Sequence, residues 1–257
     1  MIRKWLNASR QFGFDPVKFI NACRGIPRFT RDLSLWRRMT GATNPFSVHP
    51  VLADFRESAG SADGHYFWQD LIAARWVHQT NPQHHLDVGS RVDGFVAHLL
   101  TFRAVTLLDV RPVRTPVPGL SFTQGNAQEE LGHLEGSFDS VSSLHAIEHF
   151  GLGRYGDPLQ IDGHLKGLRN IANCVAPGGT LYVSFPIGKP EVHFNAQRVL
   201  DPVWPLEVLT DFSLEEFVVI PWRGEPTYGL SPSQVDLSRV GQAGLYRFVR
   251  PPRPTEV

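Results

Sequence analysis

Residues 84–100 read HHLDVGSRVDGFVAHLL. A short apolar strand pattern, HHLDVG over 84–89, meets a glycine, and GFVAHLLTF over 94–102 then takes helical spacing. A strand that turns through glycine into a helix is the opening unit of an α/β domain. The missing Cβ lets a ligand approach the backbone, and the helix start offers free N–H groups.

Working outward, strand-length apolar runs recur at AVTLLDV (104–110), LSFTQGN (120–126), FDSVSSL (138–144), TLYVSFPI (180–187), FVVIPW (217–222) and LYRFVR (245–250). Helical spacing appears in YFWQDLIAARWVHQ (66–79) and in GHLKGLRNIANCV (163–175), with APGG expected to stop the latter. The alternation predicts a mostly parallel seven-stranded sheet with helices on both faces, a Rossmann-like α/β fold.

Three segments are expected: a basic amphipathic helical segment and linker over 1–60, the main domain over 61–250, and a flexible tail over 251–257. Residues 1–38 hold nine basic residues against Asp15 and Asp32, a net charge of +7, interleaved with Trp5, Phe12, Phe14, Phe19, Ile20, Phe29, Leu35 and Trp36. A pair of helices packed on the main domain accounts for this pattern, and so does contact with an anionic inner-membrane surface or an assembly partner. Across the whole chain 25 basic residues balance 25 acidic ones, which argues against nucleic acid as a partner. Cys23 and Cys174 have no metal-site or disulfide spacing. No 18-residue apolar run and no signal-peptide pattern is seen, so a cytoplasmic protein is expected.

Ligands of open α/β sheets bind beyond the carboxyl ends of the strands, which singles out the residues that follow each strand. Asp87, Gly89 and Ser90 follow the first, and the spacing is not the dinucleotide GxGxxG, because Arg91 stands where a second glycine is needed. That disfavours an NAD-dependent oxidoreductase. Asp109 ends the second strand twenty residues past Gly89, placed for ribose hydroxyls or for a local turn. Asn126 follows the third strand, suited to an adenine edge or to a helix N-cap.

Strand four runs into SLHAIEHFGLGRYGDPL (143–159), which gathers His145, Glu148, His149, Arg154, Tyr155 and Asp157 among three glycines. If HAIEH begins a helix, His145 and His149 share a face. A histidine near neutral pKa can take a hydroxyl proton while a carboxylate orients it. His149 is the expected base, with Glu148 or Asp157 tuning it and His145 in reserve. Tyr155 with Arg154 suits a polyhydroxylated acceptor, and PEVHFNAQRVLDP adds His193, Asn195 and Arg198, the last able to clamp an anion together with Arg154. GHYFWQD contributes His65, Tyr66 and Asp70 as a cover over the site. No metal is expected, the ligand types being scattered over loops.

The order LDVGS, LLDV, GNAQ, FDSVSSLHAIEH and LRNIANCVAPGGTLYVSFP resembles the class I S-adenosylmethionine-dependent methyltransferases. Within them GHYFWQDL, DVGSRVDGF, LHAIEHFGLGRYGDPL and FNAQRVLDP look like the blocks of DUF268, a bacterial and nematode family of unknown function, over about residues 64–220. The resemblance implies S-adenosyl-L-methionine as cofactor, with Asp87, Gly89 and Ser90 at its methionine part, Asp109 at the ribose, Asn126 and Ala127 at the adenine, and His145 beside the sulfonium. The aromatic and charged rim points to O-methylation of a sugar hydroxyl on a glycan or glycolipid acceptor, and the resemblance implies a place in bacterial surface polysaccharide or glycolipid synthesis. The alternative is a methyltransferase-like binding or scaffold module without catalysis, which Ser90 and Arg91 in the glycine turn favour. The dense strand-four rim favours the enzyme.

Overall fold

Period-2 alternation of apolar residues builds the sheet of the computed structural model, which describes residues 10, 12–40, 46–55, 57 and 59–253. Strands β1 (His85–Val88), β2 (Val105–Asp109), β3 (Leu120–Gln124), β4 (Phe138–Leu144) and β5 (Val175–Ile187) pair in parallel in the order 3-2-1-4-5. β6 (Glu191–His193) and β7 (Gln197–Val199) form a separate antiparallel hairpin. Beyond β5 the sheet continues with β10 (Gln242–Val249), β8 (Ser213–Pro221) and the two-residue edge strand β9 (Thr227–Tyr228), each antiparallel to its neighbour.

Alternate residues enter opposite cores. Leu181, Val183, Phe185, Phe217, Val219, Tyr246 and Phe248 face one side, while Tyr182, Val218, Ile220, Ala243 and Leu245 face the other. The first core packs against α3 (Gly163–Asn173) through Leu168 and Ile171, and the second against α2 (His65–Thr80) through Ile72, Ala73, Trp76 and Val77. Both faces are therefore covered, as a parallel sheet requires. The short helix α4 is Trp204–Val208.

Two local expectations change. GFVAHLLTF is not one regular helix: a wide turn over Val92–Val96 precedes a single α-turn, Ala97–Leu99, because Gly94 leaves helical geometry at φ −123°, ψ −113°. A Cβ at Gly94 would lie 2.8 Å from Asp70 Oδ2, so that bend brings the backbone against the Asp70 carboxylate. The helix over 163–175 ends at Asn173, before APGG, and Pro177 with Gly178 at φ +79° bends the start of β5 instead.

The chain divides between Ser61 and Ala62 into two compact units, the sheet domain being the second. In the first, α1 (Pro16–Thr40) is a helix of 25 residues with Pro27 inside it, and the first nine residues of the expected helical segment lie outside the described residues. Asp15 caps it by accepting from the backbone N–H of Val17 and Lys18. The backbone at Leu52 passes over Gly25, where a Cβ would meet the Leu52 carbonyl. Arg3, Lys4 and Trp5 of the basic segment and residues 254–257 of the expected tail lie outside the described residues. Among the described residues no helix is long and apolar enough to cross a membrane.

Candidate functional site

FDSVSSL places polar residues in the middle of a central strand, and their partners explain them. Ser140 and Ser142, both fully buried, bond to His85 of β1: its Nδ1 lies 2.7 Å from Ser140 Oγ and its Nε2 2.9 Å from Ser142 Oγ. Ser142 Oγ in turn donates to Asp87 Oδ2 at 2.6 Å, so His85 Nε2 carries the proton and the ring is neutral. Burial agrees, pushing His85 down to about 3. Ser90 donates to Asp87 through its N–H at 3.1 Å and its hydroxyl at 2.8 Å, and its Oγ accepts from Leu144 N–H. This chain of bonds fixes the Gly89 turn to the end of β4. Gly89 takes φ +77°, and a Cβ there would lie 2.9 Å from Ala146 Cβ, so glycine is required for both reasons.

A cavity of about 620 Å³ opens at the carboxyl ends of β1 to β4. Of the residues singled out in the sequence, Tyr66, Gly89, Ser90, Asp109, Asn126, Ala127, His145, His149, Arg154, Tyr155 and Asp157 line it. Asp87, His65, Glu148, His193, Asn195 and Arg198 do not. Asp87 lies beneath the turn, fully buried, where it organises the wall rather than forming it. Ser90 lines the cavity with its hydroxyl already engaged at both ends. His65 stacks on His145 with centroids 5.3 Å apart and donates from Nε2 to the Gly241 carbonyl.

In the strand-four cluster the chain turns at His145, φ +49°, into a single 3₁₀ turn, Ile147–His149, rather than an α-helix. Glu148 is thereby set between the two histidines: its Oε1 accepts from His145 Nδ1 at 2.7 Å and stands 3.8 Å from His149 Nε2. The carboxylate therefore binds His145 directly and only faces His149. The ring of His149 is fixed from elsewhere, donating from Nδ1 to the Ala196 carbonyl at 2.6 Å, which leaves Nε2 with the lone pair. Burial lowers the pKa of His149 against the upward pull of Glu148, so the ring stays neutral at pH 7. Asp157 is not hydrogen-bonded to His149; it accepts from Gly151 N–H at 2.8 Å, Gln128 Nε2 at 3.2 Å and Tyr155 N–H at 3.3 Å, folding the glycine loop.

Arg198 is 5% exposed and donates to the carbonyls of Phe150, Glu148, Gln160 and Ile161, tying down both ends of that loop. It is thus a strut of the site, not an anion clamp, because all its directed donors meet backbone. His193 pairs with Glu191 on the exposed hairpin, and Asn195 is exposed there too. What the β6–β7 hairpin gives to two residues that line the cavity is the Ala196 carbonyl, which accepts from His149 Nδ1 and also from Arg154 Nη1 at 3.0 Å. Among the described residues no three His, Cys, Asp or Glu side chains converge as a metal-holding group.

Three residues went unmarked by sequence reasoning as site residues. Arg111 lines the cavity and grips Asp109 from both sides, Nε to Oδ1 at 3.0 Å and Nη2 to Oδ2 at 2.6 Å, with its own N–H also on Oδ1 at 2.8 Å. The signal was its position two residues past the acidic strand end, within reach of that carboxylate. Gln128 bridges Asn126 and Asp157. Arg91 lines the wall, paired with Asp93. Asp70, named in the sequence as part of the cover, does line the cavity, and burial pushes it up to about 6. Asn126 Oδ1 accepts from Gln128 N–H at 3.0 Å, so it serves as a turn cap while lining the cavity.

Residues 120–214 match the family described as Caenorhabditis protein of unknown function, DUF268. That span is narrower than about 64–220 and leaves GHYFWQDL and DVGSRVDGF outside it. No curated protein sequence matches the chain. In structure the chain is similar to the 1,6-didemethyltoxoflavin-N1-methyltransferase of Burkholderia thailandensis, solved with 1,6-didemethyltoxoflavin and S-adenosylhomocysteine, at TM-score 0.50 and 15% identity over 88% of this chain and 89% of that one. It is similar to the same degree, TM-score 0.50, to the [4+2]-cyclase SpnF, at 14% identity over 71% of this chain and 82% of that one. One fold thus carries two named reactions, so the fold alone does not name the chemistry. The protein has a Rossmann-like, class I methyltransferase-type fold, and its residues 120–214 match DUF268.

Proposed function

We propose that the chain is an S-adenosyl-L-methionine-dependent O-methyltransferase that acts on a sugar hydroxyl of a glycan or glycolipid, in bacterial surface polysaccharide or glycolipid synthesis. The observation that carries the reading is the bond from His149 Nδ1 to the Ala196 carbonyl, which makes Nε2 a neutral acceptor in the cavity.

The residues present fit the cofactor. Gly89 keeps clear the space a Cβ would fill, and about 620 Å³ lies within the range of small-molecule sites. Asp109 has about four acceptor positions, of which Arg111 takes three, so one stays open for a ribose hydroxyl. Asn126 and Ala127 border the same cavity for the adenine. When bound, the cofactor supplies a methyl group already activated on a sulfonium. The protein's task is then to hold the acceptor in line and receive its proton. His149 Nε2, which holds the lone pair, would receive the proton that the acceptor hydroxyl gives up when the methyl leaves the sulfonium for its oxygen, S-adenosylhomocysteine being the leaving group. Glu148 at 3.8 Å stabilises the imidazolium so formed. The Tyr155 ring, 37% exposed, lies beneath the Arg154 guanidinium and presents that group to the acceptor.

Asp109→Asn is expected to weaken S-adenosylhomocysteine binding about 10–100-fold, the loss of one charge-assisted bond, in calorimetric titration of a variant whose circular dichroism is unchanged. Equal affinity of the two proteins would remove the ribose role. A second reading, a ligand-binding module without catalysis, is favoured by the hold of Arg111 on Asp109. It predicts no cofactor binding in the same titration.

A further inference from the structure

Three guanidiniums line the cavity, and they differ in what neutralises them. Arg91 pairs with Asp93 at 2.7 Å and Arg111 with Asp109 at 2.6 Å. Arg154 has no ion-pair partner among the described residues. The carboxylate nearest in sequence, Asp157, already accepts from Gly151, Tyr155 and Gln128. Among the described residues Arg154 makes one hydrogen bond, from Nη1 to the Ala196 carbonyl, which leaves four of its five N–H donors without a partner there.

Its position is built rather than loose. The guanidinium carbon of Arg154 stands 5.1 Å from the centroid of Tyr155, and that of Arg111 4.6 Å from the same ring, so the tyrosine steadies both by cation–π attraction. His149 meets that ring edge-on at 5.6 Å and shares the Ala196 carbonyl with Arg154. The proton-accepting nitrogen and an uncompensated cation are therefore held by one tyrosine and one peptide group. Arg154 is exposed at the mouth of the cavity, where water solvates it until an acceptor covers it, and a neutral sugar would then displace that water without supplying a counter-charge. An acidic one supplies it.

We propose, resting on the O-methyltransferase reading, that the acceptor carries an anionic group, a carboxylate or a phosphate, beside its reacting hydroxyl, and that Arg154 on Tyr155 receives it. Arg154 is then a specificity residue: it selects acidic sugars over neutral ones and turns the reacting hydroxyl toward His149. The flat fork of a guanidinium suits a carboxylate through two parallel bonds, whereas a phosphate also accepts a point charge.

The test titrates the full chain with glucose, glucuronate and glucose 1-phosphate, with and without S-adenosylhomocysteine. At least one acid is expected to bind about tenfold or more tightly than glucose, and Arg154→Gln to erase the difference. Arg154→Lys separates the sources: a carboxylate acceptor loses its advantage in this variant, and a phosphate acceptor keeps most of it. Equal binding of all three sugars, no binding of either acid at millimolar concentration, or an acid preference untouched by Arg154→Gln overturns the proposal. Failure of S-adenosylhomocysteine to bind while the Arg154-dependent preference persists overturns the cofactor assignment instead, and leaves this subsite standing.

Discussion

His149→Ala is expected to lower methyl transfer about 10²–10⁴-fold while leaving S-adenosylhomocysteine affinity close to that of the unchanged protein. The two readouts separate because the proposed role of Nε2 is on the acceptor's proton, a change made in the transition state, whereas the residues proposed to hold the cofactor are Gly89, Asp109, Asn126 and Ala127 of the same cavity. Loss of the ring also leaves the Ala196 carbonyl with Arg154 as its remaining side-chain donor, so His149→Gln is the companion variant. It offers an amide N–H toward that carbonyl but has no basic nitrogen, and should be as slow as the alanine variant. His145→Ala should act differently. It removes the partner of Glu148 Oε1 and the stacking surface of His65, so it is expected to lower stability as well as rate. Turnover of His149→Ala within a factor of about three of the unchanged protein would take proton removal away from this residue.

Asp87→Ala is expected to destabilise the sheet domain by about 3–5 kcal/mol, since it strips the partner from three buried donors: Ser90 N–H, Ser90 Oγ and Ser142 Oγ. That is a large share of the roughly 5–15 kcal/mol that holds a domain folded. Asp87→Asn keeps the shape and isolates the charge. Burial outweighs the three donors and raises Asp87 to about 7, above its ordinary value of 3.8. Between those values the folded state holds a proton that the unfolded state has released. The stability that Asp87 contributes is therefore fully present at low pH and falls as pH rises from about 4 to about 7. Against the asparagine variant the difference should drift by about 1.4 kcal/mol per pH unit in favour of the variant across that window, read by urea denaturation. A difference independent of pH would mean that Asp87 is ionised throughout.

The sheet was legible because its strands alternate apolar residues at period 2 and its helices keep helical spacing. Both β10 and β8 follow the expected pattern into two cores. FDSVSSL was legible as a strand but not in its chemistry. Nothing in the serines themselves says that β1 presents His85 and Asp87 opposite them, because strand pairing is a long-range fact. The meeting of His145 and His149 on one cavity was expected from helical spacing and is reached by another route, a left-handed residue followed by a 3₁₀ turn. The partner of His149 was out of reach of residue-type reasoning altogether, since a backbone carbonyl, Ala196, carries no side-chain signature. Arg198 was expected on the rim after strand five, able to clamp an anion together with Arg154. Burial under four carbonyls makes it a strut.

The claim on which the rest depends is that the cavity between Gly89 and Asn126 binds S-adenosyl-L-methionine. Calorimetric titration of the full chain with S-adenosylhomocysteine tests it without any knowledge of the acceptor. Saturable binding to one site per chain, weakened about 10–100-fold by Asp109→Asn, is the predicted result. Absence of binding at millimolar ligand, with the protein folded, would contradict it.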